Sequence, residues 1–452
     1  MKTGSIENKV ASAILSMIRA RRTSSSTPED DSHARSFPAI APAKLREARF
    51  SDFHAVAALK QRWRLNADSY ENWQRLWQRN PALMPTQIER PMTERPIGWV
   101  LEADGAVVGY LGNISLLYRF GNKTLTSVTA HGLVVDPPYR AVGLTLVAAF
   151  FRQKSVDLFI STTAIEAVGK IALAFKSSPL PQPDYDTVLF WVLQPYGFAC
   201  ALMNKLKLAP ILSHIGAGGT ALALGADKIV RRRYCRRSSR SFTVKEISIG
   251  EIGDEFQSLW TEKQSEGCRL LADRSPATLR WHFNIPGDRG SARVLCCYKQ
   301  AELVGYAIVR NDTNQENGSR TSIIADLVAR QDDPAVVKAL WAAAYNYAKQ
   351  AGSHVLELLG FPTSIREAAA EWNPYSRKYP ACPFYYKAAD PELHGTLADG
   401  AAWYASPYDG DATLIRPSYA TPAQLDTSPV EMQDTADNIV RETLKQQHAE
   451  VS

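Results

Sequence analysis

The sequence predicts an α/β (α+β) protein built from two tandem folds of one kind, each a mixed, mostly antiparallel sheet flanked by helices. Three observations lead there. The 452 residues are enough for two or three domains at roughly 100–200 residues each. Each half carries alternating strands early and a strand–helix–strand unit later, the pattern of a mixed sheet with helices on it. The two halves also repeat one order of elements, as a duplicated unit does.

The repeat is visible element by element. The first half reads "NWQRLWQRNP" and then "GWVLEADGAVVGYLGNI"; the second reads "TLRWHFNIP" and then "RVLCCYKQAELVGYAIV". Each is a Trp-bearing helix ending in Asn and Pro, followed by two strands about a short polar turn. Both second strands begin Val-Gly-Tyr, at Val108-Gly109-Tyr110 and Val304-Gly305-Tyr306. A third strand and a helix follow, "TSVTAHGLVVDPPYRAVGLTLVAAFFRQK" against "TSIIADLVARQDDPAVVKALWAAAYNYAKQ", then a further strand, "VDLFISTTA" against "HVLELLGFP". The folded units fall at 43–230 and 241–420. Residues 1–42 read as a flexible leader, 231–240 as a basic linker and 421–452 as an acidic tail.

Composition narrows the class. Hydrophobic residues make up 45% and charged residues 22%, an ordinary globular balance. The net charge of +6 suits an acidic ligand, but it is too dilute to indicate nucleic acid. The six Cys form no CxxC pair and have no His at ligand spacing, so neither a disulfide framework nor a metal site is expected. Reduced thiols and the lack of a secretory pattern suggest the cytoplasm. Ile6, Val10, Ile14 and Ile18 fall at helical spacing ahead of three Arg and read as a docking or frayed helix. The stretch "LAPILSHIGAGGTALALGA", Leu208 to Ala226, has no charged residue and precedes an Arg cluster. Pro210, His214 and its glycines argue against a transmembrane span, so it is expected as a buried inter-domain helix or loop, with peripheral membrane contact through the Arg cluster left open.

The motif "V-D-P-P-Y-R-A-V-G-L-T", between a strand and an apolar helix, resembles the acyl-CoA-binding motif of the GNAT superfamily of N-acetyltransferases. That pattern is Arg or Gln, two residues, Gly, one residue, Gly or Ala; here Arg140 and Gly143 match and Thr145 departs. The chain from about Ala43 to Pro417 then looks like a tandem pair of such folds, an arrangement also found in mycothiol synthases and, more distantly, in Fem-type aminoacyl transferases. The resemblance implies acetyl-CoA or another acyl-CoA as co-substrate, no metal, and a small-molecule amine as acceptor, with no nucleic acid. An amino sugar or sugar nucleotide of polysaccharide biosynthesis is the acceptor class implied. Two readings of other classes stand beside it: a non-catalytic acyl-CoA-binding scaffold or sensor, and a membrane- or nucleic-acid-associated protein using Arg231 to Arg240.

Physical reasons support the motif. Helix-start N–H groups and the helix dipole form an anion site, so Arg140, Ala141, Val142, Gly143, Leu144 and Thr145 are the expected pyrophosphate contacts. The strand Leu133, Val134 and Val135 can offer main-chain groups to a pantetheine arm. The equivalent second loop, "VARQDDPAVVKAL", has no Gly, and Asp332 and Asp333 would repel a pyrophosphate, so this half is expected to have lost CoA binding. Acyl transfer by direct attack needs a base for the amine and an acid for the thiolate. His131 is the first candidate base, against the reading of a core histidine. Glu166 is the alternative, or a helix-start acid. A Tyr commonly protonates the thiolate in the resembling family, and Tyr185 and Tyr196 lie in the right region, Tyr196 within a partial "PYGF" echo. Thr162 and Thr163 are candidate contacts for the acceptor or for the adenine side of the co-substrate, or satisfied strand-end hydroxyls. Asp326, inside an apolar strand, is a candidate contact for the acceptor amine or a salt-bridged core acid. The cluster "WYASPYDGD", Trp403 to Asp411, reads as an acceptor contact or as an Asp- and Gly-rich turn.

Overall fold

A computed structural model describes residues 41–84, 95–163, 166–206, 210–233, 241–288, 290–379 and 384–415, without the side chains of 166–167 and 210–213. Most of the leader, residues 234–240 of the linker and the acidic tail lie outside the described residues. The first half runs β1 (Lys44–Glu47), α1 (Phe53–Arg62), α2 (Tyr70–Trp77), β2 (Gly98–Ala103), β3 (Ala106–Phe120), β4 (Lys123–Val135), α3 (Arg140–Phe151), β5 (Leu158–Ser161), α4 (Glu166–Ala174), β6 (Ser178–Pro179) and β7 (Thr187–Val192). Helices α5 (Pro195–Lys205) and α6 (Pro210–Val230) lead to the second half. There follow β8 (Thr243–Ile247), α7 (Glu255–Ser265), β9 (Leu270–Ala272), α8 (Pro276–Phe283), β10 (Ala292–Lys299), β11 (Glu302–Thr313), β12 (Arg320–Ala329), α9 (Pro334–Gln350), β13 (Val355–Leu358), α10 (Thr363–Ala370), β14 (Tyr375–Lys378), β15 (Tyr385–Ala388), α11 (Pro391–Thr396) and α12 (Ala412–Ile415).

Two mixed sheets, flanked by helices, result. Their strand orders are β1-β2-β3-β4-β5-β15-β6 and β14-β7-β13-β12-β11-β10-β8. Among the strand pairs of the described residues, β4–β5 and β12–β13 are parallel and the others antiparallel. The order also reveals an exchange that local sequence pattern does not carry. β7, from the first half, lies between β13 and β14 of the second sheet, while β15, from the second half, lies between β5 and β6 of the first. Each exchanged strand brings a buried aromatic. Trp191 of β7 packs on Trp341 at 4.5 Å between ring centroids and donates its indole N–H to Trp372 O at 3.1 Å. Tyr386 of β15 packs on Trp403 at 4.9 Å.

The halves also share a core. Trp73, Leu76 and Tyr110 from the first half form one buried cluster with Phe256, Leu279 and Tyr306 from the second. The Trp-bearing helices of the repeat meet here: Trp281 donates its indole N–H to Arg75 O at 2.8 Å, and Arg75 Nη1 returns a bond to Trp281 O at 2.9 Å. α6 departs from the buried helix expected around Leu208 to Ala226. It packs on α5 through Ala199, Met203 and Ala217, while Ile215, Leu222 and Ile229 face outward.

Exchange of β7 and β15 means neither half can complete its sheet alone. Fragments 1–233 and 234–452 expressed separately should give no cooperative thermal transition. Co-expressed, they should purify together and melt in one transition. A cooperative melt of 1–233 alone would contradict the exchange.

Candidate active site

The site begins where two strands part. β4 and β5 pair over only three residues each, Ser127–Thr129 against Leu158–Ile160. β4 then continues to Val135, still bonded to β3. Among the described residues, no main-chain hydrogen bond reaches β4 from the β5 side beyond Thr129. A bulge lies at this point: Gly112 faces His131 and Tyr110 faces Val134, so Gly132 and Leu133 stand opposite Leu111 alone. Gly132 has φ +64°, and a β-carbon there would lie 2.9 Å from Lys60 Nζ. The bulge therefore needs glycine both for its backbone and for the room.

His131 sits at the mouth of this wedge. Its Nε2 lies 3.1 Å from Asp68 Oδ2, and Lys60 Nζ lies 2.7 Å from the same oxygen. All three side chains are buried. Nε2 faces an acceptor, Asp68, at 3.1 Å and a donor, Lys60 Nζ, at 3.4 Å; with its proton donated to the nearer carboxylate, the ring leaves Nδ1 with the lone pair. This is the base-plus-orienting-acid logic of a catalytic triad. Burial alone would raise the Asp68 carboxyl, but His131 and Lys60 outweigh it and hold the acid well below the usual carboxylate range. Trp77 lies 6.4 Å from the imidazole, ring to ring. The Tyr110 hydroxyl is buried without a partner among the described residues, as are Ser127 Oγ and Thr129 Oγ1. Burial, with Asp68 and Asp52 nearby, pushes the Tyr110 phenol well above its ordinary value. That hydroxyl and His131 O lie 2.6 and 3.0 Å from where a β-carbon on Gly112 would stand. Ser127, Thr129 and His131 alternate along β4 and so share one face.

The loop after β4 is tied to α1. Asp136 accepts from Arg62 Nη2 at 2.9 Å and from Trp63 Nε1 at 2.7 Å. α1 thus holds both Lys60 and the turn that leads to α3. Of the first four N–H groups of α3, Tyr139 donates to Asp136 O at 2.9 Å and Arg140 to Pro137 O. The donors an anion would meet are those of Ala141 and Val142. Gly143 is buried, and a β-carbon there would touch Val135 Cγ2 at 3.0 Å, so its glycine serves the close packing of helix on strand. Thr145 donates its hydroxyl to Val142 O at 2.6 Å and is spent within the helix. Leu133 and Val135 of β4 and Leu144 of α3 pack, partly buried, against one apolar core cluster.

The second half carries the same wedge, filled. β12 and β13 pair only over Thr321–Ile323 and Val355–Glu357 before parting. Asp326 faces Ile308, two residues past Tyr306, as His131 faces Gly112, two residues past Tyr110. Asp326 is therefore the internal counterpart of His131. Arg274 grips it with two bonds of 3.0 Å, Nε to Oδ2 and Nη2 to Oδ1, and Tyr306 donates at 2.9 Å. The salt-bridged reading of Asp326 holds, and no valence is left for an acceptor amine. Between the parted strands lies the chain's own segment: Tyr404 donates to Leu327 O at 2.8 Å, Phe361 N–H donates to Ala405 O at 3.0 Å, and Ser406 Oγ contacts Asp326 at 3.3 Å. Asp332 is occupied by Lys263 and Arg269, and Asp333 caps α9 through Ala335 N–H at 2.8 Å.

The remaining candidates separate. Thr162 and Thr163 end β5 beside the first wedge, but both hydroxyls donate to Asp411 Oδ1 at 2.9 Å. The Trp403 to Asp411 segment thus joins the filled wedge of one half to the β5 end of the other. Tyr196 is not brought to the site. It lies in α5, the helix that follows β7 of the second sheet, is exposed, and its neighbour Gly197 abuts His354. Tyr185 lies against Phe384 and near Ser406 O at 3.5 Å. Glu166 opens α4, but its side chain lies outside the described residues. Sequence reasoning missed Lys60 and Asp68; the one available signal was a Lys on the inner face of an amphipathic helix.

No family model matches the chain, and no curated protein matches it. Among solved structures it is similar to a GCN5-related N-acetyltransferase from Anabaena variabilis, at 10% identity over 77% of this chain and 73% of that one, with a TM-score of 0.48. A GCN5-related N-acetyltransferase from Kribbella flavida overlaps at 12% identity, 78% and 73% coverage and a TM-score of 0.48. Saccharomyces cerevisiae N-myristoyltransferase with bound myristoyl-CoA overlaps at 12% identity, 80% and 86% coverage and a TM-score of 0.46. Superpositions this loose assign no role to any residue here.

Asp409 provides a test of the joining segment. Burial pushes its carboxyl up to about 6, against the pull of Arg274. A folded-state value above the unfolded one means that its stabilising contribution is full below about pH 4 and is lost as pH rises through about 6. Asp409→Asn mimics the protonated acid. Wild type should therefore lose stability relative to this variant, by on the order of 2 kcal/mol, between pH 4.5 and 7.5. Urea titrations at both pH values read the difference; parallel behaviour would place Asp409 in a solvated setting.

Proposed function

We propose that the protein is an acyl-CoA-dependent N-acyltransferase whose first half binds the thioester and whose second half is a degenerate copy. The reading rests on one observation: among the described residues, the main-chain groups of β4 in the wedge beside β5 are unclaimed, and the buried His131–Asp68 pair stands at its mouth. A pantetheine arm would lie along Leu133 to Val135 as an added strand, with its pyrophosphate at the N–H groups of Ala141 and Val142 beside Arg140. The second half's wedge is closed to such a ligand because Tyr404 to Ser406 already lie in it.

The chemistry takes the tautomer with its proton on Nε2, donated to Asp68. A neutral amine attacks the thioester carbonyl carbon, a C–N bond forms and the C–S bond breaks. The amine proton passes to His131 Nδ1, and the imidazolium so formed is stabilised by Asp68. The departing thiolate takes that proton from the imidazolium, which returns His131 to its neutral form. The acyl group is acetyl or a longer chain, and the acceptor is an amine, with amino sugars and sugar nucleotides the first classes to assay.

Calorimetric titration with free CoA, acetyl-CoA and long-chain acyl-CoA tests the binding claim. Ala141→Glu suits a helix start but repels a pyrophosphate, and it should weaken binding at least tenfold. Loss of binding by wild type across all three ligands would sink the proposal. In an amine-panel assay, His131→Gln should keep CoA affinity and lose about 10²–10⁴ in turnover, the usual range for a general base, and Asp68→Asn should lose less. Binding by wild type without turnover of any amine would favour the acyl-CoA sensor instead.

A further inference from the structure

The α5–α6 hairpin is built inside out. Water-soluble helices bury their large apolar residues and expose polar ones. Here the contact between the two helices is made by Ala199, Met203 and Ala217, with Cys200 and Ala221 beside them. The outward stripe of α6 is Ile215, Gly219, Leu222, Ala223, Ala226, Ile229 and Val230, all exposed and none charged or polar, with His214 exposed at its start. Ile215, Leu222, Ile229 and Val230 are 70%, 78%, 74% and 80% exposed, and Leu206 at the end of α5 is 58% exposed. At 1.5 Å per residue the stripe runs about 22 Å. Exposed apolar surface of this continuity marks an interaction site.

Charge identifies the occupant. Between residues 195 and 233 the sequence has six basic residues and one acidic residue, and Arg236, Arg237 and Arg240 follow. Arg231 and Arg232 are exposed at the end of the stripe. The single acid, Asp227, is already paired with Arg231 at 2.9 Å and Arg233 at 2.7 Å, so a second copy of this face would offer those cations no free carboxylate. The hairpin is also held in a fixed pose. Lys228 Nζ donates to Val192 O at 3.1 Å, and the Arg233 guanidinium stacks 4.0 Å over Tyr375 and donates to Pro374 O at 2.9 Å. These bonds keep the stripe facing away from the protein body. No helix among the described residues is long and apolar enough to cross a membrane.

We propose that the outer face of α6 docks on an anionic lipid bilayer, its apolar stripe entering the headgroup–acyl boundary and Arg231 and Arg232 meeting lipid phosphates. Shallow insertion of an apolar helix face with a basic flank is how peripheral helices bind such surfaces, and cations near an anionic leaflet add an attraction that salt screens.

Vesicle flotation with the full chain tests this. Wild type should float with phosphatidylcholine vesicles containing about a third phosphatidylglycerol, and binding should fall several-fold in pure phosphatidylcholine or in high salt. The triple change Ile215→Glu, Leu222→Glu, Ile229→Glu should abolish flotation while leaving the melting temperature unchanged, since all three positions are exposed. Arg231→Ser with Arg232→Ser should lower binding and flatten its salt dependence. Failure of wild type to float with anionic vesicles, or equal flotation by the triple variant, would overturn the proposal. So would a wild-type dimer in light scattering that the triple change dissociates, which would assign the stripe to a second copy.

Discussion

Two parallel strands that pair for three residues and then diverge leave a row of main-chain donors and acceptors without partners. Buried groups of that kind must be satisfied by something. The structure meets this constraint twice and answers it differently each time. In the second half, residues 404–406 enter between β12 and β13 and take up Leu327 O and Phe361 N–H. In the first half no described residue does so along β4 beyond Thr129. The asymmetry between a filled and an unfilled wedge underlies the functional reading, and the internal duplication makes it visible.

The side chains at the two wedges diverged in step with the backbone. His131 and Asp326 occupy equivalent register positions next to equivalent tyrosines. One belongs to a buried acid–imidazole pair whose second nitrogen can take a proton. The other is locked to Arg274 in a bidentate bridge, both partners almost without exposure. Burying such a pair gains little net stability, but removing one partner leaves a costly lone charge. The bridge therefore fixes the second wedge in its closed form. The same segment then reaches Thr162 and Thr163 through Asp411, so the closed half props the open one. Strand exchange of β7 and β15 makes that mutual support compulsory.

Much of this was legible in the sequence, and the limits have physical causes. The repeat, the Val-Gly-Tyr strands and the Arg140–Gly143 loop are local patterns, and local patterns survive in a linear reading. Asp326 stood out because a carboxylate in an apolar strand is expensive unless paired, and His131 because it lies on the strand just before the Arg140–Gly143 loop. The exchange was hidden because strand pairing depends on contacts about 200 residues apart, which periodicity does not encode. Lys60 and Asp68 were missed because a Lys on a helix and an Asp in a loop look like solvated surface until β4 is laid beside them. Gly143 is expected among the pyrophosphate contacts, whereas in the structure its missing β-carbon serves helix packing on Val135. α6 was read as buried because its apolarity was clear and its orientation was not.

Hydrogen exchange of the full chain with and without saturating acyl-CoA tests the central asymmetry most directly. The account predicts new protection of amides in 130–136 and 141–143, with 324–330 and 404–406 protected equally in both states. Protection gained at 324–330, or none gained at 130–143 under saturation, would contradict it.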